Sequence, residues 1–204
     1  MQPLEADLAA YYDQEAERRA GRGLDPRRAD RREEFAELLL AEGRRTLLEV
    51  GTGPGRDAAA FLARGVTVSG VDLSAEHVRM ARAVGVEAHL ASVHNLPFPD
   101  RAFDAGWTMS TLLHVPDAQL DPALTEIRRV LVPGAPLAIG VWGGQDFEGP
   151  SVEDDIQPPR FFALRSDARL REMLGRHGEL ERFETWPGSG ANRWTYQWCV
   201  LRVP

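Results

Sequence analysis

Short apolar runs alternate with amphipathic stretches along most of the chain, beginning near Thr46. The apolar runs have the length of buried strands and cover residues 47–50, 66–71, 87–90, 103–109 and 137–142. The stretches between them carry apolar residues at helical spacing, at 56–63, 75–83 and 120–131. This alternation is typical of βαβ units. The sequence therefore predicts an α/β fold with a mostly parallel sheet and helices on both faces.

The two ends of the chain have different patterns. The first 45 residues are charged and predict one helix near residues 4–19 and another at 34–42, with a breaker at 21–26 between them. Near the other end, a helix at 167–174 is followed by strand-like runs at 180–186 and 193–202 around a glycine turn at 187–190. Two such runs predict a hairpin, which adds an antiparallel edge to the sheet.

The length of 204 residues suits one domain. We therefore expect a single unit over residues 1–204, built from an N-terminal helical cap at 1–45, a cofactor-binding core at 46–142 and a substrate-side segment at 143–204. No run approaches the ~20 apolar residues of a membrane helix, and the first residues lack the pattern of a secretion signal. A cytoplasmic protein that is a monomer or homodimer, without a membrane partner, is the expectation.

Charge and composition exclude several functions. The net charge of −7 argues against nucleic acid as a partner. The basic residues are all arginine, so Schiff-base and P-loop chemistry, which need lysine, are excluded. Cys199 is the single cysteine and lies in an alternating apolar stretch, so it cannot form an internal disulfide. No cluster of metal ligands stands out, and no metal is expected.

The most informative segment is the turn after the first predicted strand, which carries Gly51, Gly53 and Gly55 before a helix. Glycines allow a ligand to lie against the main chain, although such a turn can also be a plain connection. A dinucleotide fingerprint needs a further glycine where this chain has Arg56. Glu49 just before the turn repels phosphate and attracts a cation. A ligand with an adenosine and a positively charged tail, S-adenosylmethionine, fits these charges better than NAD.

The second predicted strand ends at Asp72, about twenty residues after the glycine turn. An acidic residue at this place accepts hydrogen bonds from ribose hydroxyls. The alternative is that Asp72 caps the following helix, a position that Ser74 can also fill. The separation from the glycine turn favours the ribose interpretation.

Four segments together resemble the successive motifs of the class I S-adenosylmethionine-dependent methyltransferases, in particular the small-molecule enzymes with a compact methyltransferase domain. They are residues 48–55, 71–74, 95–104 and 126–134. The resemblance is close over residues 46–142 and looser on both sides. It implies a Rossmann-like, seven-stranded sheet with one antiparallel strand, and methyl transfer that leaves S-adenosylhomocysteine.

The resemblance also implies a set of cofactor contacts. They are Tyr12, Glu49, Gly51, Thr52, Gly53, Gly55, Asp57, Asp72, Leu73, Ser92, Val93 and Met109. Glu49 and the glycines would surround the methionine portion, with Asp72 on the ribose and Leu73 beside the adenine. The family often has an aspartate where this chain has Ser92, so either the Ser92 side chain or the Val93 backbone amide is expected at the adenine.

Acceptor contacts are expected from Tyr11, His114, Trp142, Arg160, Phe161 and Arg165. His114 follows the fourth predicted strand, where open α/β sheets place their ligands, and it is the candidate general base, with a structural role as the alternative. If Arg160 and Arg165 face the pocket, a carboxylate-bearing acceptor fits; if the acidic loop at 145–159 lines it, an amine fits. The sequence slightly favours O-methylation of a carboxylate or hydroxyl on a small-molecule or peptide acceptor. N-methylation, non-catalytic cofactor binding and a nucleotide-dependent oxidoreductase are the alternatives.

Overall fold

The computed structural model describes residues 3–21, 23, 25–188 and 194–204. The chain begins with helices α1 (Pro3–Gly21) and α2 (Pro26–Ala41). Asp25 starts α2, because its carboxylate accepts a hydrogen bond from the backbone nitrogen of Arg27 at 2.8 Å. The sequence pattern placed this start too late, at residue 34, because the polar first turns of α2 carry no apolar stripe. Arg22 and Leu24 of the predicted breaker lie outside the described residues.

The central part alternates strand and helix as predicted. Its elements are β1 (Thr46–Val50), α3 (Arg56–Ala63), β2 (Thr67–Asp72), α4 (Ala75–Ala83), β3 (Glu87–Leu90), β4 (Ala105–Met109), a 3-10 turn (Leu112–His114), α5 (Asp117–Val130) and β5 (Pro136–Gly143). The remaining elements are β6 (Phe147–Pro150), β7 (Phe161–Leu164), α6 (Asp167–Gly175), β8 (Glu179–Pro187) and β9 (Thr195–Arg202).

The main sheet has seven strands in the order β3-β2-β1-β4-β5-β9-β8. Neighbours from β3 to β5 pair in parallel, whereas β9 is antiparallel to both β5 and β8. One strand therefore runs against the other six, which confirms the predicted Rossmann-like α/β fold. The predicted hairpin corresponds to β8 and β9; Ser189, Gly190 and Arg193 of its turn region lie outside the described residues.

The segment after β5 differs from the long loop that the sequence predicts at residues 145–159. Its first residues form β6, which pairs antiparallel with β7 in a separate two-stranded sheet, with Phe147 opposite Leu164. The sequence does not predict β6 as a strand because it contains a glycine and a proline, and both residue types are depleted in strands. The pairing holds this segment beside the main sheet rather than leaving it free.

Apolar side chains pack on both faces of the main sheet. Neighbouring strand residues point to opposite faces, and accordingly Leu47 joins one core cluster and Leu48 the other. The first cluster is dominated by aromatic residues, with the ring of Phe61 lying 5.1 Å from that of Trp107. The second is built mainly on aliphatic residues of α5, α6 and the strands. These two layers fix the sheet and with it the edge where its parallel strands end.

The chain runs from β1 through β2 to β3 on one side of the sheet, and then returns to β4 and β5 on the other. The order therefore reverses between β1 and β4, and open α/β sheets bind ligands at the carboxyl ends of the strands beside such a reversal. The residues that follow β1, β2 and β4 meet at this edge. The fold thus indicates where to look for the site.

Replacing Gly55 by alanine should destabilise the protein more than the same change at Gly65. Both residues have a left-handed φ, +84° and +80°. A Cβ atom on Gly55 would lie 3.0 Å from the Cα of Ala81 in α4, whereas one on Gly65 meets nothing within 4 Å. The strained φ should cost roughly 1–2 kcal/mol in both variants, and crowding should add about 1–3 kcal/mol to Gly55→Ala alone. Urea denaturation measures the difference, and equal losses would contradict this packing.

Candidate active site

The turn after β1 forms one wall of the site. Gly51 and Gly53 both have left-handed φ, and a Cβ atom on Gly51 would collide with the side chain of Thr111. A Cβ atom on Gly53 would meet nothing within 4 Å, because this residue faces open space. The backbone at Gly53 is therefore accessible to a ligand, as a binding turn requires.

Asp72 holds this turn to the end of β2. One carboxylate oxygen of Asp72 accepts a hydrogen bond from the Gly53 nitrogen at 2.8 Å, and the other accepts one from the Ser74 nitrogen at 2.9 Å. Ser74, not Asp72, caps α4, since its hydroxyl oxygen accepts a hydrogen bond from the His77 nitrogen. Asp72 also lines a cavity beside Leu73 and Gly53. The capping interpretation of Asp72 is therefore excluded.

Carboxyl groups concentrate at the end of β1. Glu49 is buried, and its carboxyl accepts a hydrogen bond of 2.6 Å from the hydroxyl of Thr52. Burial, together with the nearby charges of Asp57 and Asp72, raises the pKa of Glu49 well above its usual value. Asp57 is held by Arg32 at 3.1 Å and by the indole nitrogen of Trp107 at 3.2 Å. A cationic ligand would relieve the repulsion within this cluster.

Two cavities open at this edge of the sheet. The smaller one, of about 840 Å³, lies beneath α1 and is lined by Leu8, Asp72, Leu73 and Val93 among others. The larger one is an open cleft of about 2460 Å³. The residues that line both are Tyr12, Arg19, Gly51, Gly53, Met109, Ser110 and His114. The two spaces therefore adjoin, one on the side of β2 and the other on the side of β5 to β7.

His114 lies at this junction, and its geometry argues against the predicted role as a base. Its Nδ1 donates to the carbonyl of Phe161 at 2.7 Å, and its Nε2 then accepts from the hydroxyl of Tyr12 at 2.8 Å. Burial lowers the pKa of His114 to about 3. Both ring nitrogens are thus engaged in hydrogen bonds to the protein, and the imidazole is neutral. In this structure His114 therefore holds the hydroxyl of Tyr12 and the carbonyl of Phe161.

Ser110 also lines the site, although no sequence motif marks it. It follows β4 with a left-handed φ of +55°, which is unfavourable for a serine. Its backbone nitrogen donates to the carbonyl of Gly140 at 2.6 Å, and the residue lines both cavities. Strained residues of this kind concentrate at functional sites because the surroundings must hold them.

Most of the predicted cofactor residues do lie at the cavities. Thr52 and Asp57 line the cleft, Leu73 and Val93 line the smaller cavity, and Met109 lines both. Gly55 is different, since it packs against Ala81 of α4 and lines neither cavity. The lack of a side chain at Gly55 allows the start of α3 to pack closely against α4.

Ser92 also lies outside the lining of both cavities. Its hydroxyl donates to the carboxylate of Glu5 on α1, and its oxygen accepts from the His94 nitrogen at 3.0 Å. Of the two expected adenine contacts, the structure therefore places only Val93 on the cavity wall. Ser92 helps to fasten α1 instead.

Arg165 was expected at the acceptor, and the structure corrects this. The side chain is 1% exposed, and its guanidinium donates to Asp117 at 2.8 Å and to the backbone carbonyls of Leu112, Val115 and Ala163. These four hydrogen bonds join residues 112–117 to β7. It lines neither cavity and cannot contact an acceptor there.

The other expected acceptor residues divide into two groups. Trp142 and Arg160 line the cleft, but the guanidinium of Arg160 is paired with the carboxylate of Asp154. Tyr11 and Phe161 line neither cavity. Tyr11 is 2% exposed, beneath the guanidinium of Arg160, and Phe161 contributes only the carbonyl that binds His114.

Several lining residues were missed by the sequence reasoning. Arg19 lies on α1, lines both cavities and places its guanidinium 5.1 Å from the ring centre of Tyr12. Its spacing from Leu8, Tyr12 and Glu15 puts these residues on one helix face, which is a signal that the sequence did contain. The missed residues also include Arg28, Arg56, Phe162 and Trp194. These residues are distant in sequence, and the fold brings them together at the cleft.

Comparison with known proteins identifies related methyltransferases. Residues 47–134 match a family model described as a methyltransferase domain. The methyltransferase GfsG of Streptomyces halstedii is 37% identical over 117 residues, which are 52% of this chain and 41% of GfsG. The O-methyltransferase rstn1 of Aspergillus nomiae is 31% identical over 166 residues, covering 68% of this chain and 72% of rstn1.

Solved structures show the same fold. The 1,6-didemethyltoxoflavin-N1-methyltransferase of Burkholderia thailandensis, crystallised with 1,6-didemethyltoxoflavin and S-adenosylhomocysteine, superposes with a TM-score of 0.74 at 22% identity. The match covers 98% of this chain and 87% of that one.

The chain therefore belongs to the family of class I S-adenosylmethionine-dependent methyltransferases. It spans 41%, 43% and 62% of the lengths of three of its curated relatives.

Within residues 3–21, 23, 25–188 and 194–204, no group of three or more histidine, cysteine, aspartate or glutamate side chains is arranged to hold a metal ion. None of the helices in these ranges is long and apolar enough to cross a membrane.

The buried neutral His114 should make the fold less stable in mild acid. Its pKa is about 3 in the folded protein and 6.5 when exposed, so only the unfolded chain takes up this proton as the pH falls below 6.5. Between pH 6.5 and pH 5.0 this group should remove about 2 kcal/mol of stability.

The measurement is urea denaturation of the wild type and of His114→Asn at pH 7.5 and pH 5.0. The wild type should lose more stability than the variant over this interval. An equal pH dependence in both proteins would show that His114 is not buried in the neutral form.

Proposed function

We propose that this protein transfers a methyl group from S-adenosylmethionine to a small organic acceptor, with oxygen as the methylated atom. The observation that supports this most is the pair of adjoining cavities, one beside Asp72 and the other beside Trp142, which meet at Ser110. A donor and an acceptor need adjacent compartments of this kind. The relatives named above supply independent support for methyl transfer.

The residues at the smaller cavity fit this cofactor. Asp72 has a carboxylate on the cavity wall that can accept hydrogen bonds from ribose hydroxyls, and the apolar Leu73 and Val93 suit an adenine ring. In the adjoining larger cleft, the acidic cluster of Glu49 and Asp57 suits the positively charged amino-acid end of the same cofactor. When bound here, S-adenosylmethionine supplies a methyl group already activated by its sulfonium sulfur.

The amino-acid end of the donor also carries a carboxylate, and Arg19 is suited to bind it. Arg19 lines both cavities, and its nearest carboxylate partner, Glu15, is 3.6 Å away. Tyr12 presents its ring beside this guanidinium and its hydroxyl to His114. Helix α1 would thereby close the cavity over the donor.

The main contribution of the protein to the reaction is to align the acceptor with the methyl group of the donor. The acceptor oxygen forms a bond to the methyl carbon as the bond from carbon to sulfur breaks, which needs the three atoms in line. Fixing two reactants in such an orientation contributes on the order of 7–11 kcal/mol in favourable cases. Ser110, Met109 and Gly51 form the rigid junction between the compartments.

The state of His114 supports an acceptor that is ionised before it binds. A neutral hydroxyl or an ammonium group must lose a proton, and the ring nitrogens of His114 are both occupied by Tyr12 and Phe161. A carboxylate or an acidic phenol needs no such base. This supports O-methylation, as does the similarity to the O-methyltransferase rstn1. Glu153 lines the cleft and is the feature that favours an amine instead.

The direct test is incubation of the protein with S-adenosylmethionine labelled at the methyl group and a panel of phenols, carboxylic acids and amines. Mass spectrometry then identifies the labelled product. Methyl transfer to oxygen supports the proposal, and transfer to nitrogen alone replaces it by the amine alternative. Tight cofactor binding without transfer to any class would favour a non-catalytic binding protein.

Asp72→Ala should weaken binding of S-adenosylhomocysteine by about tenfold or more, because the ribose hydroxyls and the glycine turn both lose their acceptor. Titration calorimetry measures the affinity, and circular dichroism checks the fold. The matched control is Asp100→Ala, since Asp100 is 73% exposed and pairs with Arg129 away from both cavities. Unchanged affinity in Asp72→Ala would remove Asp72 from the cofactor site.

A further inference from the structure

Four arginines line the larger cleft, and three of them have polar partners. Arg160 pairs with Asp154, and Arg19 lies 3.6 Å from Glu15. Arg56 donates to the backbone carbonyls of Arg19 and Ala20 at the end of α1. The fourth, Arg28, makes no hydrogen bond and no ion pair with any residue that the structure describes.

Arg28 lies in the first turn of α2, and its surroundings explain why it stays unpaired. Its Nε atom is buried without a hydrogen-bond partner, and its guanidinium lies 5.3 Å from the ring centre of Tyr196. Asp25 and Asp57 are two acidic residues whose charges act on Tyr196. Asp25 accepts a hydrogen bond from the Arg27 nitrogen, and Asp57 is held by Arg32 and Trp107. These two carboxylates thus have other partners.

The cleft wall next to Arg28 is aromatic. The ring of Trp142, which lines the cleft, lies 4.8 Å from that of Tyr196. Phe162 and Trp194 line the same space, with their rings 5.1 Å apart. A planar apolar molecule can pack against such rings, and a guanidinium that lies over an aromatic ring keeps its edge free for two parallel hydrogen bonds to a carboxylate.

We propose that the acceptor is a planar aromatic molecule with a carboxylate, and that Arg28 binds this carboxylate. The inference rests on the proposed function and adds a substrate class to it. Arg28 is then a specificity-determining residue that distinguishes an acid from a neutral molecule of the same shape. Loss of one charge-assisted hydrogen-bonded pair should weaken binding roughly ten- to a hundredfold.

The test uses two probes of equal shape, 3-hydroxy-2-naphthoate and its neutral amide, titrated into the protein saturated with S-adenosylhomocysteine. The variant is Arg28→Gln. The control is Arg31→Gln on the same helix, because Arg31 also lies over an aromatic ring, that of Trp198, but is paired with Glu34 and lines neither cavity. Circular dichroism confirms that both variants fold.

The wild type and Arg31→Gln should bind the acid at least about tenfold more tightly than the amide, and Arg28→Gln should lose this preference. Equal affinities in the wild type, no binding of either probe, or an unchanged preference in Arg28→Gln would each overturn the proposal. So would weaker binding of S-adenosylhomocysteine by Arg28→Gln, because Arg28 would then bind the donor. If the wild type itself fails to bind S-adenosylhomocysteine, the proposed function fails and this inference falls with it.

Discussion

The hydrogen bond from the Gly53 nitrogen to the carboxylate of Asp72 is the interaction on which the rest of the site depends. It joins the turn after β1 to the end of β2, and so fixes one wall of the smaller cavity against the other. This contact explains both the conformation of Gly53 and the position of the Asp72 carboxylate. It also leaves Asp72 on the cavity wall, where an adenosine ribose is the ligand that its position suits.

Electrostatic repulsion at the end of β1 complements this geometry. Glu49, Asp57 and Asp72 crowd a region of low solvent exposure, and the pKa of Glu49 rises as a consequence. Such an arrangement costs stability unless a cation binds. The cofactor of this family carries a positive sulfonium and ammonium, so the same carboxyl groups that destabilise the empty site favour the ligand.

The sequence predicted the parts of the fold that depend on local pattern. The alternation of apolar runs located β1 to β5, and the glycines with Asp72 located the cofactor edge. The β6 strand was missed because Gly149 and Pro150 hide its pattern, and the start of α2 was missed because its first turns are polar. The apolar pattern revealed neither feature, although Asp25 followed by Pro26 is a local signal for the start of α2.

Site residues could be predicted where they follow the end of one strand. They could not be predicted where the site is formed by elements that are distant in sequence. His114 was located correctly, but its role depends on Tyr12 and on the carbonyl of Phe161, which are far away in sequence. Arg165 was expected to contact the acceptor, but its guanidinium makes buried hydrogen bonds within the protein. Arg28 was not expected at the site, but it lines the cleft.

Titration calorimetry with S-adenosylhomocysteine and with NADH tests the central claim most directly. We expect the protein to bind S-adenosylhomocysteine tightly and not to bind NADH, because the acidic cluster at Glu49 repels a pyrophosphate. Binding of NADH alone, or of neither ligand, would contradict it.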